Sequence, residues 1–148
     1  MIEIRTILAP TDFSPHAEGA VRYACGLAER FGAELHLIHV LSEMVPTGPD
    51  PTFAPVMPPD YYQQIEGESR ELLDRQIDPS WGTPTAVANT VLWGNPVEEI
   101  VAHARDRKID LIVIATHGRT GLSHALLGSV AERIIREAPC PVLTIRSK

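Results

Sequence analysis

Apolar and polar residues follow one another along this chain in blocks that predict alternating strands and helices. Short segments rich in β-branched and other apolar residues predict strands at 4–9, 34–40, 85–92, 109–115 and 141–145. Between them, apolar residues recur at helical spacing over 15–31, 61–77, 96–107 and 130–138. The chain is therefore predicted to consist of five strands and four helices.

Several residues mark the ends of these helices. Ser14 and Asn95 are good N-caps, and each is followed by a proline at the first helical position. Glu98 completes a capping box with Asn95, and Gly32 ends the first helix. These local signals agree with the boundaries that the apolar spacing indicates.

The alternation of strands and helices predicts the fold class. With right-handed crossovers it gives an α/β fold, a three-layer, doubly wound, five-stranded parallel sheet in the order 3-2-1-4-5. The almost unbroken apolar run at 109–115 is typical of a strand covered by helices on both faces. Ligands in such sheets bind where the winding reverses, here between strands 1 and 4. Asp12 and the loop after strand 4 are therefore expected to meet there.

Composition narrows the class of protein. The chain has 148 residues, of which 44% are hydrophobic and 22% charged, as in a globular protein, so one domain over residues 1–148 is expected. A formal net charge of -6 argues against nucleic acid or an anionic membrane as the main partner. The first residues run directly into a strand, with no signal-peptide pattern and no apolar run of membrane-spanning length, so a cytoplasmic protein is expected.

A loop at 41–60, with six prolines, interrupts the regular pattern. Loops of this length in compact domains are usually lids, binding loops or disordered excursions. A mobile lid and a disordered segment are equally compatible with the sequence. A lid would fit a small-molecule enzyme in which Tyr61, Tyr62 or Trp93 contacts the substrate, although aromatic residues near loop ends more often pack against other residues.

The pattern of cysteines and histidines predicts neither a disulfide nor a metal site. Cys25 and Cys140 lack paired spacing and are expected to be buried thiols. His36 and His39 are three residues apart on one strand, so they face opposite sides of the sheet and cannot bind one metal ion. His117 is expected to shape its loop.

The loop after the fourth strand carries the clearest chemical signal. It contains Gly118, Gly121 and Gly128 and leads into the last helix. Unpaired N–H groups and the positive end of the helix dipole make such a helix start suitable for phosphate. Arg119 is a nearby mobile cation, although an exposed loop arginine is solvated by default. The chain has neither a Walker-type loop nor a G-x-G-x-x-G pattern after strand 1.

Each of these features also has a purely structural interpretation. Ser129 stands three residues before Glu132, and a capping box would explain the serine without a ligand. Asp12 would either bind a ribose or base, or close an Asx turn onto its own backbone. Gly118 would either cradle an anion or only turn the backbone. A side chain at Gly128 would obstruct an anion, which favours a phosphate site.

Three segments together resemble the universal stress protein family: Pro-Thr-Asp-Phe-Ser at 10–14, Gly-Asn-Pro at 94–96, and the glycine loop with its helix at 116–133. The segment 138–143 is similar to it as well, so the resemblance covers essentially the whole chain outside 41–60. It implies the adenine nucleotide alpha hydrolase-like fold. It also implies a homodimer paired through the last strand, by Val142, Leu143, Thr144 and Ile145, which would cover an exposed sheet edge.

The resemblance also implies a nucleotide site. Family members that bind ATP carry G-x2-G-x9-G-[ST] at this loop, and the chain matches it except that Ala115 replaces the first glycine. The implied nucleotide-binding residues are Pro10, Thr11, Asp12, Val40, Ala115, Thr116, His117, Gly118, Arg119, Gly121, Gly128, Ser129 and Val130. Mg²⁺ would be bound through the ATP phosphates. The methyl of Ala115 would crowd the nucleotide if the backbone needed a positive φ there or passed close to the ligand, whereas ordinary strand geometry would tolerate it.

Two functions follow from the resemblance. The first is a nucleotide-dependent regulatory dimer in the stress response, with at most slow ATP hydrolysis, since no general base is evident beside the phosphate loop. The alternative is a universal stress protein that binds no nucleotide and acts as a dimerisation or protein-interaction module. The departure at Ala115 favours this alternative.

Overall fold

Strands and helices alternate along the residues that the computed structural model describes, 1–42, 57–118 and 127–146. The strands are β1 (Thr6–Pro10), β2 (Glu34–Leu41), β3 (Ala86–Trp93), β4 (Leu111–Ala115) and β5 (Val142–Ile145). The helices are α1 (Pro15–Phe31), α2 (Tyr61–Arg75), α3 (Pro96–Asp106) and α4 (Ser129–Glu137). A short 3-10 helix at Pro79–Trp81 was not predicted from the sequence.

The five strands form one parallel sheet in the order β3-β2-β1-β4-β5, which confirms the predicted topology. β1 lies at the centre, where Leu8 is opposite His36 of β2 and Ile112 of β4. The winding direction reverses beside β1, so the carboxyl ends of β1 and β4 border a crevice.

Helices on both faces of the sheet divide the core into two clusters. One cluster packs α1 against Ile7 and Val113, and the other packs α3 and α4 against Leu8 and Ile112. Neighbouring residues of one strand thus belong to different clusters, as the two-residue period of a strand requires. Burial of both faces explains why the β4 sequence is almost entirely apolar.

The predicted N-caps of α1 and α3, and the end of α1 at Gly32, are confirmed. Ser14 Oγ accepts a hydrogen bond from Ala17 N–H at 3.2 Å, and Gly32 ends α1 in the left-handed conformation with φ 64°. Asn95 Oδ1 accepts a hydrogen bond from Val97 N–H at 3.0 Å.

Among the described residues, no helix combines the length and the apolar character that a membrane crossing requires.

Several boundaries differ from the prediction. β1 begins at Thr6 instead of residue 4 and includes Pro10, and β2 continues to Leu41. α4 begins at Ser129, one residue earlier than predicted. The interpretation of 41–60 as a lid or a disordered segment falls mainly on 43–56, which lie outside the described residues.

Candidate functional site

A cavity of about 510 Å³ opens at the carboxyl ends of β1 and β4, in the predicted crevice. Its volume is within the range of small-molecule and cofactor sites, roughly 300–1,000 Å³. The cavity is lined by eleven of the thirteen predicted site residues: Pro10, Thr11, Asp12, Val40, Ala115, Thr116, His117, Gly118, Gly128, Ser129 and Val130. Arg119 and Gly121 lie outside the described residues. The lining also includes His39, Pro96 and Ile100, which were not predicted as site residues.

The loop between β1 and α1 is held by hydrogen bonds from side chains to its own backbone. Asp12 Oδ1 accepts a hydrogen bond from Ser14 N–H at 3.0 Å, so the predicted Asx turn is confirmed. Thr11 Oγ1 accepts one from Phe13 N–H at 3.1 Å, and Phe13 has φ 62°, a conformation that bulky residues rarely adopt. Since Asp12 also lines the cavity, the turn does not remove it from the candidate site.

Gly118 brings the loop after β4 against Asp12. A methyl group at Gly118 would lie 2.7 Å from Asp12 Oδ2, closer than real side-chain contacts. The backbone at Gly118 does not have a positive φ. A side chain at position 118 would therefore displace the Asp12 carboxylate, a reason for the glycine that neither interpretation from the sequence included.

The start of α4 contradicts the capping box predicted for Ser129 and Glu132. Gly128 occupies the N-cap position and Ser129 is the first helical residue, and among the described residues no side chain caps this helix. The physical reason is a 2.6 Å hydrogen bond from Gly128 N–H to the Thr116 carbonyl, which fixes the residue before the helix against the end of β4. The Glu132 side chain instead pairs with Arg136 at 2.7 Å.

The local structure accounts for the residue types at Gly128 and Ala115. A methyl group at Gly128 would lie 3.1 Å from the Thr116 carbonyl oxygen, so close packing of the loop against β4 already accounts for this glycine. Ala115 is the last residue of β4, opposite Ile145, and its side chain belongs to the core cluster on the α1 face. It has strand geometry, so the positive φ that would make alanine crowd a ligand does not occur.

His117 has contacts on two sides. Its Nδ1 lies 3.0 Å from Thr116 Oγ1, and its ring centroid lies 6.1 Å from that of His16 in the first turn of α1. These contacts support the predicted role of His117 in shaping the loop. They also link the loop after β4 to the start of α1.

A separate buried polar cluster lies between β2 and α3. His36 Nδ1 and His103 Nε2 are 3.3 Å apart, and Glu34 lies 3.4 Å from His36 Nε2. Burial lowers the pKa of His36, with an opposing effect from Glu34 and a further decrease from Arg107. Burial also lowers the pKa of His103, with His36 and Arg107 adding to the decrease and Asp106 opposing it. Both imidazoles therefore favour the neutral form.

The predicted arrangement of histidines on β2 is confirmed. His36 contacts His103 on the α3 side, whereas His39 contacts Phe13 and the Thr11 carbonyl. Within residues 1–42, 57–118 and 127–146, no group of three or more His, Cys, Asp or Glu side chains could hold a metal ion.

The two cysteines differ in environment. Cys25 is fully buried, as predicted, and burial raises the pKa of its thiol to about 11. Cys140 is only half-buried, and burial followed by the nearby charge of Asp110 raises the pKa of its thiol. Neither environment stabilises a reactive thiolate.

The aromatic residues of the small-molecule-enzyme hypothesis lie together and are not among the residues that line the cavity. Tyr62 packs edge-on against Trp93 with ring centroids 5.2 Å apart, and Tyr61 packs against Tyr62 at 5.5 Å. All three line a second pocket of only about 60 Å³, which shares Ser42 with the lining of the cavity. This packing favours the structural interpretation of these aromatics.

Known proteins resemble the chain in sequence and in fold. The sequence model of the universal stress protein family matches residues 3–146. A universal stress protein of Methanocaldococcus jannaschii is 35% identical over 146 residues, covering 96% of this chain and 82% of that protein. The universal stress protein from Lactobacillus plantarum has a TM-score of 0.77 at 23% identity, covering 99% of this chain and 100% of that one. The universal stress protein from Archaeoglobus fulgidus in complex with dAMP has a TM-score of 0.63 at 22% identity, covering 98% and 99%.

These likenesses agree with the architecture. The five-stranded sheet in the order 3-2-1-4-5 is that of the adenine nucleotide alpha hydrolase-like fold. The family match includes both β1, with its loop, and the helix that follows β4. The chain therefore belongs to the universal stress protein family.

Proposed function

We propose that this protein binds ATP with Mg²⁺ in the cavity between β1 and β4 and acts as a nucleotide-dependent regulatory dimer in the cytoplasmic stress response. The observation that carries the proposal is the first turn of α4, which lines the cavity and is capped by no side chain among the described residues. The first N–H groups of a helix have no partner within it, and the helix dipole adds a positive potential there. A phosphate group would accept hydrogen bonds from these N–H groups and would be stabilised by the positive potential.

The remaining walls supply what a nucleoside needs. Asp12 on the β1 side is a carboxylate that would accept hydrogen bonds from a ribose hydroxyl or a base amine. Ile38, Val40 and Ile100 provide apolar surface for a purine ring, and a mostly apolar wall with a few polar groups is usual for ligand sites. In the Archaeoglobus protein, a domain of this fold holds the adenine nucleotide dAMP.

The position of Asp12 favours binding over catalysis. Its Oδ1 accepts a hydrogen bond from Ser14 N–H, and its Oδ2 lies against Gly118. A carboxylate held in this way suits a fixed ligand contact better than proton transfer from an attacking water. We propose that Mg²⁺ is bound through the nucleotide phosphates and water, as is common for this ion, and that hydrolysis is slow at most.

The geometry of Ala115 weakens one argument for a module that binds no nucleotide. The sequence argument for that module was the alanine at the first glycine position. Ala115 has ordinary strand geometry and packs in the core, which removes the part of that argument that needs a positive φ. Ala115 also lines the cavity, so the distance between its methyl group and a bound nucleotide is left to experiment.

The dimer part of the proposal rests on the edge of the sheet. β5 is the last strand in the sheet order, and Leu143 on β5 and Ile135 on α4 are 38% and 43% exposed. Pairing of β5 with β5 of a second copy would satisfy edge backbone groups and cover these side chains. Leu143→Glu is expected to convert a dimer to a monomer in light scattering, whereas a wild-type protein that is monomeric at high concentration would contradict the proposal.

The nucleotide part is tested on the purified protein. Denaturation should release ATP or a related adenine nucleotide, and calorimetric titration of stripped protein with ATP and Mg²⁺ should give micromolar binding. Neither released nucleotide nor heat at millimolar ATP would refute nucleotide binding and leave the protein-interaction module as the function.

A further inference from the structure

His39, near the end of β2, contacts the loop that carries Asp12. The side chain is buried, with 8% exposure, and the residue lines the cavity. Its Nδ1 lies 2.8 Å from the Thr11 carbonyl oxygen. Because a carbonyl oxygen only accepts hydrogen bonds, Nδ1 carries the proton and donates it, which fixes the tautomer of the neutral ring.

A second contact joins the same ring to the other end of the turn. The ring centroids of His39 and Phe13 are 4.5 Å apart, with the ring planes inclined by 42°. Phe13 has φ 62°, and a bulky residue keeps this conformation only where its surroundings enforce it. His39 thus contacts the residue before Asp12 and the residue after it.

The backbone of Thr11 is held to β2 by both of its polar groups. Thr11 N–H donates to the Ile38 carbonyl at 2.9 Å, and the Thr11 carbonyl accepts from His39. The first bond is the continuation of the β1–β2 ladder, whereas the second needs a particular side chain. Removal of the His39 donor would leave a buried carbonyl without this bond at the residue that precedes Asp12.

We infer that His39 is a positioning residue of the nucleotide site, which sets the place of the Asp12 carboxylate through its contacts with Thr11 and Phe13. The inference rests on the proposed function, because it assigns His39 a role in ligand binding. A polar contact must be held to within about 0.5 Å to be fully effective. A side chain that served only to fill space at position 39 would not need a donor at Nδ1.

Three variants separate positioning from packing. His39→Leu removes the donor and substitutes an apolar side chain of similar size. His39→Asn retains an N–H donor, because its Nδ2 is bonded to Cγ as Nδ1 of histidine is. His36→Leu is the matched control, since it removes a buried histidine from the same strand on the opposite face. We expect His39→Leu to weaken ATP binding roughly tenfold, His39→Asn to recover most of the affinity, and His36→Leu to stay within about twofold of wild type.

A double-mutant cycle tests whether the effect passes through Asp12. If His39 acts by positioning Asp12, Asp12→Asn should weaken binding clearly less in the His39→Leu background than in wild type. Equal losses in both backgrounds, or wild-type affinity of His39→Leu, would overturn the inference.

A readout without nucleotide keeps this inference separate from the proposed function. Ser14 N–H donates to Asp12 Oδ1, so its hydrogen exchange reports whether the carboxylate is in place. In His39→Leu this amide should exchange faster, while the Val97 amide, bonded to Asn95, should keep its rate. If the wild type binds no adenine nucleotide, the proposed function is refuted, and the role of His39 in ligand binding is refuted together with it. Unchanged Ser14 exchange in His39→Leu would overturn the positioning of Asp12 itself.

Discussion

Gly118→Ala is expected to separate ligand binding from stability. The added methyl group would lie 2.7 Å from Asp12 Oδ2, and ordinary contact begins at about 3.4 Å, so the carboxylate must withdraw by about 0.7 Å. Asp12 is half-buried and its carboxylate is the end of a side chain, so it can turn towards water. The free energy of unfolding should therefore fall by less than about 1 kcal/mol.

The effect on binding should be larger. A hydrogen bond to a charged group contributes about 1.5–3 kcal/mol, and a displacement of this size would remove most of it. The dissociation constant for ATP is thus expected to rise roughly 10- to 100-fold. Calorimetric titration measures this change, and thermal unfolding of the same samples measures stability.

Gly128→Ala is the matched comparison. Here the added methyl group meets a backbone carbonyl, that of Thr116, at 3.1 Å, and this carbonyl is held by the Gly128 N–H itself. Backbone cannot turn away as a carboxylate can, so we expect a loss of about 1–3 kcal/mol in stability. For a chain of this size each kcal/mol lowers Tm by roughly 2–4 °C.

Wild-type affinity of Gly118→Ala at wild-type Tm would refute the assignment of Asp12 as a ligand group.

Ser129, Ala115 and the two buried histidines provide further tests of the site and the core. Ser129→Ala should weaken ATP binding about fivefold in calorimetry with little change in Tm, because its hydroxyl caps no described helix; a Tm loss typical of a lost cap would contradict the assigned helix start. Ala115→Gly, which restores the family pattern, should leave the affinity within about twofold and lower stability by about 1 kcal/mol in urea unfolding, since a strand glycine adds backbone freedom; tighter ATP binding would show that the methyl group does obstruct the ligand. Stability should also fall as the pH drops below 6.5, the ordinary pKa of histidine, because His36 and His103 have lower pKa values in the folded state and the unfolded chain takes up their protons first. Urea midpoints between pH 7.5 and 5 should show this loss in wild type and a flatter profile in a His36→Leu/His103→Leu double variant; equal slopes would contradict it.

Local sequence signals predicted the elements well and their ends less well. Helix caps such as Ser14 and Asn95 act through residues two or three positions away, so the sequence contains all of the interaction. The start of β1 depends on a distant residue instead. Arg5 N–H and Thr6 N–H both donate to Asp110 Oδ2, at 2.8 and 3.0 Å, in place of strand partners. No pattern within the first strand reports a side chain that lies more than a hundred residues away.

The same difference between local and distant causes explains which parts of the candidate site could be predicted from the sequence. The resemblance placed Asp12, Gly118 and Ser129 at one crevice, and the structure brings them together around one cavity. The reason for Gly118 was not predictable, because it depends on the carboxylate opposite it. His39 was missed as a site residue because a histidine in an apolar strand is usually a core residue, and only its contact with the Thr11 carbonyl identifies a different role.

The central position of β1 bears on how this protein is made. The chain continues for more than a hundred residues after Asp12 before Gly118 and α4 complete the opposite wall of the cavity. During synthesis, the residues of one wall therefore leave the ribosome long before those of the other. Bringing the two walls together closes a long loop, which is a late and entropically costly step. Under the proposed function, nucleotide would give no help to a half-made chain, since neither half holds a complete site. It would stabilise only the finished protein, so that ligand and folded state reinforce each other once synthesis has ended.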